Sequence, residues 1–353
     1  MKNSLLALAA LTAFTGAVSA QSNVTMYGRV DLSVNKGVGT ADKAISNGSG
    51  SRLGMRGSED LGGGMAAIFN IEHRFNADTG VSQGNINNPG VGAGTSLRVW
   101  SARSLVGLKG GFGQLTLGRE YTTAFLGSQL INDPWGWDTV VSATPGMGLN
   151  QALTGGNIAR VRNDSAATYN FSMSGFSFGA QIAEASDTIN NFQKKPYNFS
   201  VGYAGGPFSV NAGYERTGQV AAAAAEWMTL GGAFNLGMVK LGASVGSGKT
   251  AANAKNQSYM VTATAALGQG ELRGSYGLLT SDPAAGPKYD AAKGFAVGYH
   301  YALSKRTTLY TDFVRNTGDF RRSAVDSGVT GATLAAINSS RKTGLDFGVK
   351  HNF

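Results

Sequence analysis

The sequence predicts an all-β fold, a 16-stranded antiparallel transmembrane β-barrel, and three observations carry this prediction. Side chains alternate between apolar and polar along most of the chain, which is the period-two pattern of strands. The 353 residues include 52 glycines but only 7 prolines, a composition that favours glycine turns over helices. Residues 345–353 form an alternating strand that ends on Phe353, as suits a strand whose apolar face meets lipid.

Residues 1–20 have the features of a cleaved signal peptide, so we expect the barrel to comprise residues 21–353. Lys2 supplies the positive start, residues 5–18 the apolar core, and residues 18–20 a small-residue cleavage site. The apolar core is shorter than the roughly 20 residues of a membrane-spanning helix. Without Lys2 the chain has 29 basic and 21 acidic residues, a formal net charge of +8, and it contains no cysteine.

Short glycine turns alternate with longer polar connections along the barrel region, which is the layout of a transmembrane barrel with a water-filled lumen. Residues 122–158 form the longest stretch without alternation, and a long irregular segment of this kind is usually functional. The predicted strands are 24–34, 51–56, 65–75, 99–109, 114–119, 159–171, 175–186, 196–205, 207–216, 226–236, 238–247, 256–267, 270–280, 293–303, 305–315 and 343–353.

Charged residues on the first strands share one parity, opposite to that of their apolar neighbours. Arg29, Arg52 and Arg56 fall on this face, and so do Glu72 and Arg74. A lipid-facing Arg or Lys costs about 2–4 kcal/mol at mid-bilayer. We therefore expect all five side chains to point into the lumen.

Several motifs together resemble the general bacterial porins, in particular the trimeric outer-membrane porins of the betaproteobacterial branch. They are Tyr27–Asp31, Ser51–Gly64, Val106–Gly113, Leu117–Tyr121 and the terminal Phe353. The resemblance implies an outer-membrane barrel whose long third loop folds into the lumen, where residues 122–158 would form it. It also implies a homotrimer, contact with lipid and lipopolysaccharide, handling by periplasmic chaperones and the barrel-assembly machinery, and Phe353 as an assembly signal.

The resemblance adds Arg162 to a basic wall of the pore constriction, beside Arg29, Arg52 and Arg74. Such a wall raises the local concentration of anions. Porins also carry an inward Arg on the strand that contains Arg103, but one position earlier, where this chain has Ala102. Either a bulge turns Arg103 inward, or Arg98 takes its role.

On the acidic side of the constriction, the resemblance and the sequence point to Asp133, Asp138 and Glu72. Enteric relatives place a carboxylate directly after the proline of this loop, whereas Trp135 holds that place here. This departure weakens the acidic side and favours anions. The two loop tryptophans either anchor the loop to the wall or form an aromatic track for sugars.

Arg119 shares its parity with the apolar residues of its strand, so we expect it to point outward. It would then snorkel to the membrane interface or form a subunit contact in a trimer.

The residue inventory argues against an enzyme, a metal site or a nucleic-acid partner. Only His73, His300 and His351 could act as histidine bases, and they are dispersed along the chain. The positive charge is spread over strands rather than gathered in one patch. We expect a channel without a cofactor that passes small hydrophilic solutes and ions, with a mild anion preference. The alternatives are a substrate-specific channel and a surface barrel that conducts little.

Overall fold

Seventeen β-segments form one continuous antiparallel sheet in the computed structural model. The structure describes residues 23–40, 42–83, 99–142, 161–184, 195–217, 224–250, 253–319, 322 and 341–353. The predicted signal peptide (1–20) and Arg98 lie outside these ranges. The segments are β1 (Asn23–Lys36), β2 (Ala44–Asn47), β3 (Ser51–Gly62), β4 (Met65–Phe75), β5 (Arg103–Gly110), β6 (Gly113–Tyr121), β7 (Arg162–Met173), β8 (Phe176–Ala183), β9 (Tyr197–Gly205), β10 (Phe208–Arg216), β11 (Glu226–Asn235), β12 (Val239–Lys249), β13 (Lys255–Leu267), β14 (Gly270–Asp282), β15 (Tyr289–Ala302), β16 (Thr307–Asn316) and β17 (Thr343–Asn352).

The barrel has sixteen strands, because β2 and β3 are two parts of one strand. β2 pairs with residues 32–35 of β1, and β3 pairs with residues 23–29 of the same strand. β1 also pairs with β17, which closes the sheet and leaves no free edge. The predicted 16-stranded antiparallel barrel is confirmed.

The two faces of the barrel wall differ as the alternation predicts. On β17, the outward Leu345 and Phe347 are 56% and 59% exposed, whereas the inward Asp346 is 1% exposed. An apolar exterior over a polar interior is the arrangement that lipid outside and water inside require. Among the residues that the structure describes, none of the helices has the length and apolarity needed to cross a membrane.

Phe353 and Gly28 form the seam between the two ends of the chain. The backbone N–H of Gly28 donates to the carbonyl of Phe353 (3.0 Å), and the N–H of Phe353 donates back to Gly28 (3.1 Å). The aromatic ring lies over Gly28, where a Cβ atom would overlap it. Glycine is therefore required at position 28 by close packing.

After β6 the chain turns into the barrel and forms an inward loop, residues 122–142. It contains a π-helical turn α1 (Phe125–Gln129), a 3₁₀ turn α2 (Leu130–Asn132) and a helical turn α3 (Thr139–Ser142). α1 packs on β9, β10 and β11, whereas α3 packs on β16 and β17. The inward loop thus crosses the lumen between two sectors of the wall, which confirms a third loop folded into the lumen, and residues 143–158 of the predicted loop lie outside the described residues.

Candidate pore constriction

Three arginines lie directly opposite one another on adjacent strands of the inner wall. Arg29 on β1 pairs with Arg52 on β3, and Arg52 pairs with Arg74 on β4. Their side chains remain 23%, 21% and 18% exposed, so all three reach the water of the lumen. Like charges that face each other across strands destabilise a sheet. This row therefore lowers stability unless neighbouring groups offset its repulsion.

Glu72 is the first compensating group, and it lies within the basic wall. Its carboxylate is 3.9 Å from Arg52 Nη1 and 3.6 Å from Arg74 Nε, and it accepts a hydrogen bond from the Tyr27 hydroxyl (3.1 Å). Only 4% of the residue is exposed. Its assignment to the acidic side of the constriction is therefore wrong. Glu72 shares the inner face of β4 with Arg74, so it is buried among the arginines instead of facing them.

Arg103 points into the lumen without the help of a bulge. Its strand β5 pairs regularly with β4 and β6, and Arg103 lies directly opposite Glu72. Its Nε atom donates to Glu120 Oε1 at 2.9 Å. The register shift lies one strand further, between β6 and β7 at Gly118 and Glu120. Of the two alternatives for this arginine, the inward orientation of Arg103 is the one observed, and its cause is ordinary alternation.

Tyr121, which sequence reasoning did not identify, joins several of these arginines. Its hydroxyl accepts hydrogen bonds from Arg74 Nη2 (2.8 Å) and from Arg162 Nη2. The Arg162 guanidinium lies 4.0 Å from the ring centroid, and that of Arg103 lies 4.9 Å away. Arg162 is only 7% exposed, so it stands behind the water-facing row and supports it through Tyr121.

The two carboxylates of the inward loop have different surroundings. Asp138 Oδ2 lies 3.4 Å from Arg29 Nη1, and a quarter of its side chain (25%) is exposed, so it faces the basic wall as predicted. Asp133 instead accepts hydrogen bonds from the backbone N–H groups of Trp135 (2.9 Å) and Trp137 (3.0 Å). Its predicted role opposite the arginines is wrong, because the tight turn around Gly136 binds its carboxylate.

Burial changes the ionisation of both loop carboxyls. It raises the pKa of Asp133 from an ordinary 3.8 to about 6, against the lowering effect of the two backbone hydrogen bonds. It also raises the pKa of Asp138, although the nearby arginines Arg29 and Arg52 act in the opposite direction. The negative side of the constriction is therefore weaker at mildly acidic pH than ordinary aspartates would make it.

The tryptophans anchor the inward loop. Trp135 is 4% exposed, and its indole N–H donates to Asp312 Oδ1 on β16 (2.7 Å). The same carboxylate lies 3.1 Å from His300 Nε2. Trp137 packs edge-on against Phe125, with 5.0 Å between ring centroids. Of the two alternatives for the loop tryptophans, anchoring of the loop to the barrel wall is the one observed.

Lys350 extends the positive wall onto β17, and sequence reasoning missed it as a pore residue. It lies directly opposite Asp31 of β1 and close enough to Arg29 and Asp138 to interact with both electrostatically. Parity was sufficient to find it, because it shares the inward face of β17 with Asp346.

Arg119 is buried within its own chain. Its register partner Ser104 places it on the outer face, as predicted. However, Nη1 binds Asp164 Oδ1 (2.6 Å), Nε donates to the carbonyl of Ser101 (2.7 Å), and only 8% of the residue is exposed. The predicted snorkelling position is wrong. The irregular pairing of β6 with β7, where Ser165 has a φ of 49°, brings Asp164 to the arginine.

Comparison with known proteins gives a consistent result. The family model for Gram-negative porins matches residues 7–321. Outer membrane porin protein 32 of Delftia acidovorans is 32% identical over 387 aligned positions, which cover 100% of both chains. An outer membrane porin protein of Bordetella pertussis is 27% identical over the full length of both chains (100% of each).

Solved structures share the fold. An anion-selective porin from Comamonas acidovorans has a TM-score of 0.63 at 24% identity and covers 94% of this chain and 100% of its own. The trimer form of OmpT from Vibrio cholerae has a TM-score of 0.67 at 16% identity, with 94% and 99% covered. Together with the closed barrel and its loop-narrowed lumen, these matches show that the chain belongs to the Gram-negative porin family, as an outer-membrane protein that forms a water-filled channel for small hydrophilic solutes and ions.

Proposed function

We propose that this channel works by passive diffusion with a mild preference for anions. The observation that carries the proposal is the row of Arg29, Arg52 and Arg74 on the lumenal water, continued by Arg103. Fixed positive charge at a narrow point raises the local concentration of anions and lowers that of cations.

The charge count of the constriction supports this preference. The cations of the constriction are Arg29, Arg52, Arg74, Arg103, Arg162 and Lys350. The carboxylates that pair with them or lie opposite them are Glu72, Glu120, Asp138 and Asp31, which leaves two positive charges in excess. The sequence of the inward loop and its continuation, residues 122–158, contains only two acidic residues, Asp133 and Asp138. No further carboxylate of that segment is available to oppose the wall.

The decisive experiment is the reversal potential of the purified protein in planar bilayers under a KCl gradient. We expect the sign of an anion-selective channel, and cation selectivity would overturn the proposal. Replacing Arg52 and Arg74 together with glutamine should lower the selectivity more than the conductance. The control is Lys195→Gln, which removes an exposed lysine paired with Glu184, both more than half exposed at 57% and 58%. This control should leave the reversal potential unchanged.

We also propose that the protein is a homotrimer and not an enzyme, and that a signal peptide is removed after Ala20. The solved trimer form of OmpT supports the first part. The candidate subunit contact is Arg119, which would take part as an ion pair with Asp164 and not as a free arginine. Lipid, lipopolysaccharide, periplasmic chaperones and the barrel-assembly machinery are the proposed partners, with Phe353 as the assembly signal. Membership of the porin family supports the second part.

A further inference from the structure

We propose that a lateral cavity in the inner wall binds small monocarboxylate anions that carry an apolar group. The cavity has a volume of about 620 Å³ and lies between the inward loop and the short turns that join β5 to β6. The inference goes beyond diffusion through the constriction and rests on the proposed function only in requiring an open lumen.

Two aliphatic side chains on neighbouring strands form part of the cavity wall. Leu105 on β5 lies directly opposite Gly118 on β6, and Ile68 on β4 lies opposite Gly107 on β5. Both glycines pack closely against the backbone of the adjacent strand, so Leu105 and Ile68 are the apolar side chains at these paired positions. The cavity therefore borders two inward aliphatic side chains as well as polar groups.

The inward loop adds a third apolar surface to this recess. Leu126 of α1 lines the cavity, and 39% of the residue is exposed, so part of its apolar surface remains accessible to a solute. Leu105 is 9% exposed and Ile68 is half-buried. An apolar patch in contact with lumenal water is favourable for the non-polar part of a solute, since its burial removes both surfaces from water.

The same cavity carries positive charge. Arg56 and Lys109 line it, and both are exposed. Arg103 also lines it, but Glu120 neutralises that guanidinium at 2.9 Å. The Arg56 guanidinium lies over the Tyr27 ring at 5.2 Å from its centroid and keeps N–H groups available for a carboxylate.

These features together define the ligand. A single carboxylate matches Arg56 or Lys109, and an adjacent ring or short alkyl group matches Leu105, Ile68 and Leu126. A small anion without an apolar part gains only the charge contact, so it should pass without being retained. A cation should be repelled from the site.

The test uses the full-length protein reconstituted in planar bilayers, with phenylacetate and acetate as probes at equal concentration. Single-channel current is recorded with the probe on either side, and block is normalised to the KCl conductance of each variant. We expect phenylacetate to cause resolved transient blocks, which are more frequent from the side of the short turns. Acetate should cause none. Equal behaviour of the two probes would overturn the proposal.

Two variants and one matched control locate the site. Lys109→Gln and Leu126→Ser should each lower the frequency or duration of phenylacetate block severalfold. Lys240→Gln removes another lysine, which lies opposite Thr264 on the far side of the barrel and outside the cavity, and should leave block unchanged. If Lys109→Gln behaves like Lys240→Gln, the proposed site is wrong. Because Lys109 lies on the wall, this comparison stands even if Leu126→Ser disturbs the loop.

The outcome also separates this proposal from the proposed function. An anion-selective wild-type channel that phenylacetate does not block refutes the cavity site alone. A protein without discrete conductance steps, or with cation selectivity, refutes the proposed function.

Discussion

The Arg29–Asp138 pair allows a test in which two single substitutions have opposite effects. The pair joins the basic wall to the inward loop at 3.4 Å, and about a quarter of each side chain is exposed (23% and 25%). Arg29→Gln removes a positive charge from the constriction, whereas Asp138→Asn removes a negative one. Asp138→Asn preserves side-chain size. Arg29→Gln shortens the side chain and also removes hydrogen bonds to the neutral Asn352 (2.8 Å) and Ser49 (3.0 Å), so each substitution changes the charge of the constriction by one unit.

The magnitude follows from Coulomb's law. A unit charge about 5 Å from a passing ion contributes about 0.8 kcal/mol in water, and screening at 0.1 M salt reduces this to about 0.5 kcal/mol. Since 1.4 kcal/mol corresponds to a tenfold change, the partition of each ion changes about 2.3-fold. Anions and cations shift in opposite directions, so the permeability ratio should change about fivefold.

The reversal potential under a KCl gradient measures this ratio directly. Arg29→Gln should lower the ratio of anion to cation permeability, and Asp138→Asn should raise it. Thermal stability should change by less than about 1 kcal/mol in Asp138→Asn, because this variant loses only a partly exposed ion pair. Arg29→Gln also loses the hydrogen bonds to Asn352 and Ser49 and relieves repulsion with Arg52, so the two variants are compared by selectivity and not by stability. If the two permeability ratios move together, or neither moves, the pair does not control selectivity and the electrostatic reasoning fails.

Three further predictions concern the loop and the seam. Anion selectivity should rise as pH falls from about 7 to about 5, because the raised pKa of Asp138, the loop carboxylate that faces the wall, makes it lose negative charge above the pH at which an ordinary aspartate does. Asp138→Asn should flatten this profile, and a wild-type profile that is already flat would contradict the prediction. Trp135→Phe removes a hydrogen bond to a buried carboxylate, about 1.5–3 kcal/mol, and should make closures and current noise at least roughly tenfold more frequent. Tyr301→Phe, which loses only a neutral, exposed bond to Gln269 (3.1 Å), is its control, and equal noise in both variants would count against a tether. Gly28→Ala should reduce the amount of folded protein in the outer membrane, because the added Cβ overlaps the ring of Phe353. Deletion of Phe353 should have the same effect. Gly111→Ala is the control and should not reduce this amount, because nothing lies within 4 Å of the added atom.

Alternation alone accounts for much of the pore. It placed Arg29, Arg52 and Arg74 correctly, because a strand between lipid and water has only two faces and lipid excludes charge. It was also sufficient for Lys350, which was overlooked. The doubt about Arg103 came from comparison with a family pattern, and the regular pairing of β5 removes it.

The remaining features depend on geometry that a linear pattern does not encode. Asp133 turns away from the wall because local backbone N–H groups compete for its carboxylate. Arg119 is buried because an irregular pairing redirects Asp164. The role of Tyr121 arises from residues on three different strands that meet under the inward loop.

The seam between β1 and β17 has a consequence for how the chain reaches its final form. All other paired strands of the wall are consecutive along the chain. In contrast, the hydrogen bond between Arg29 on β1 and Asn352 on β17 joins residues 323 positions apart. Until these two strands pair, both edges of the sheet carry unpaired backbone groups that can associate with other chains. Assembly therefore requires both unpaired edges to be shielded from other chains until these distant strands meet, and a substitution at Gly28, which weakens their pairing, should prolong that exposure.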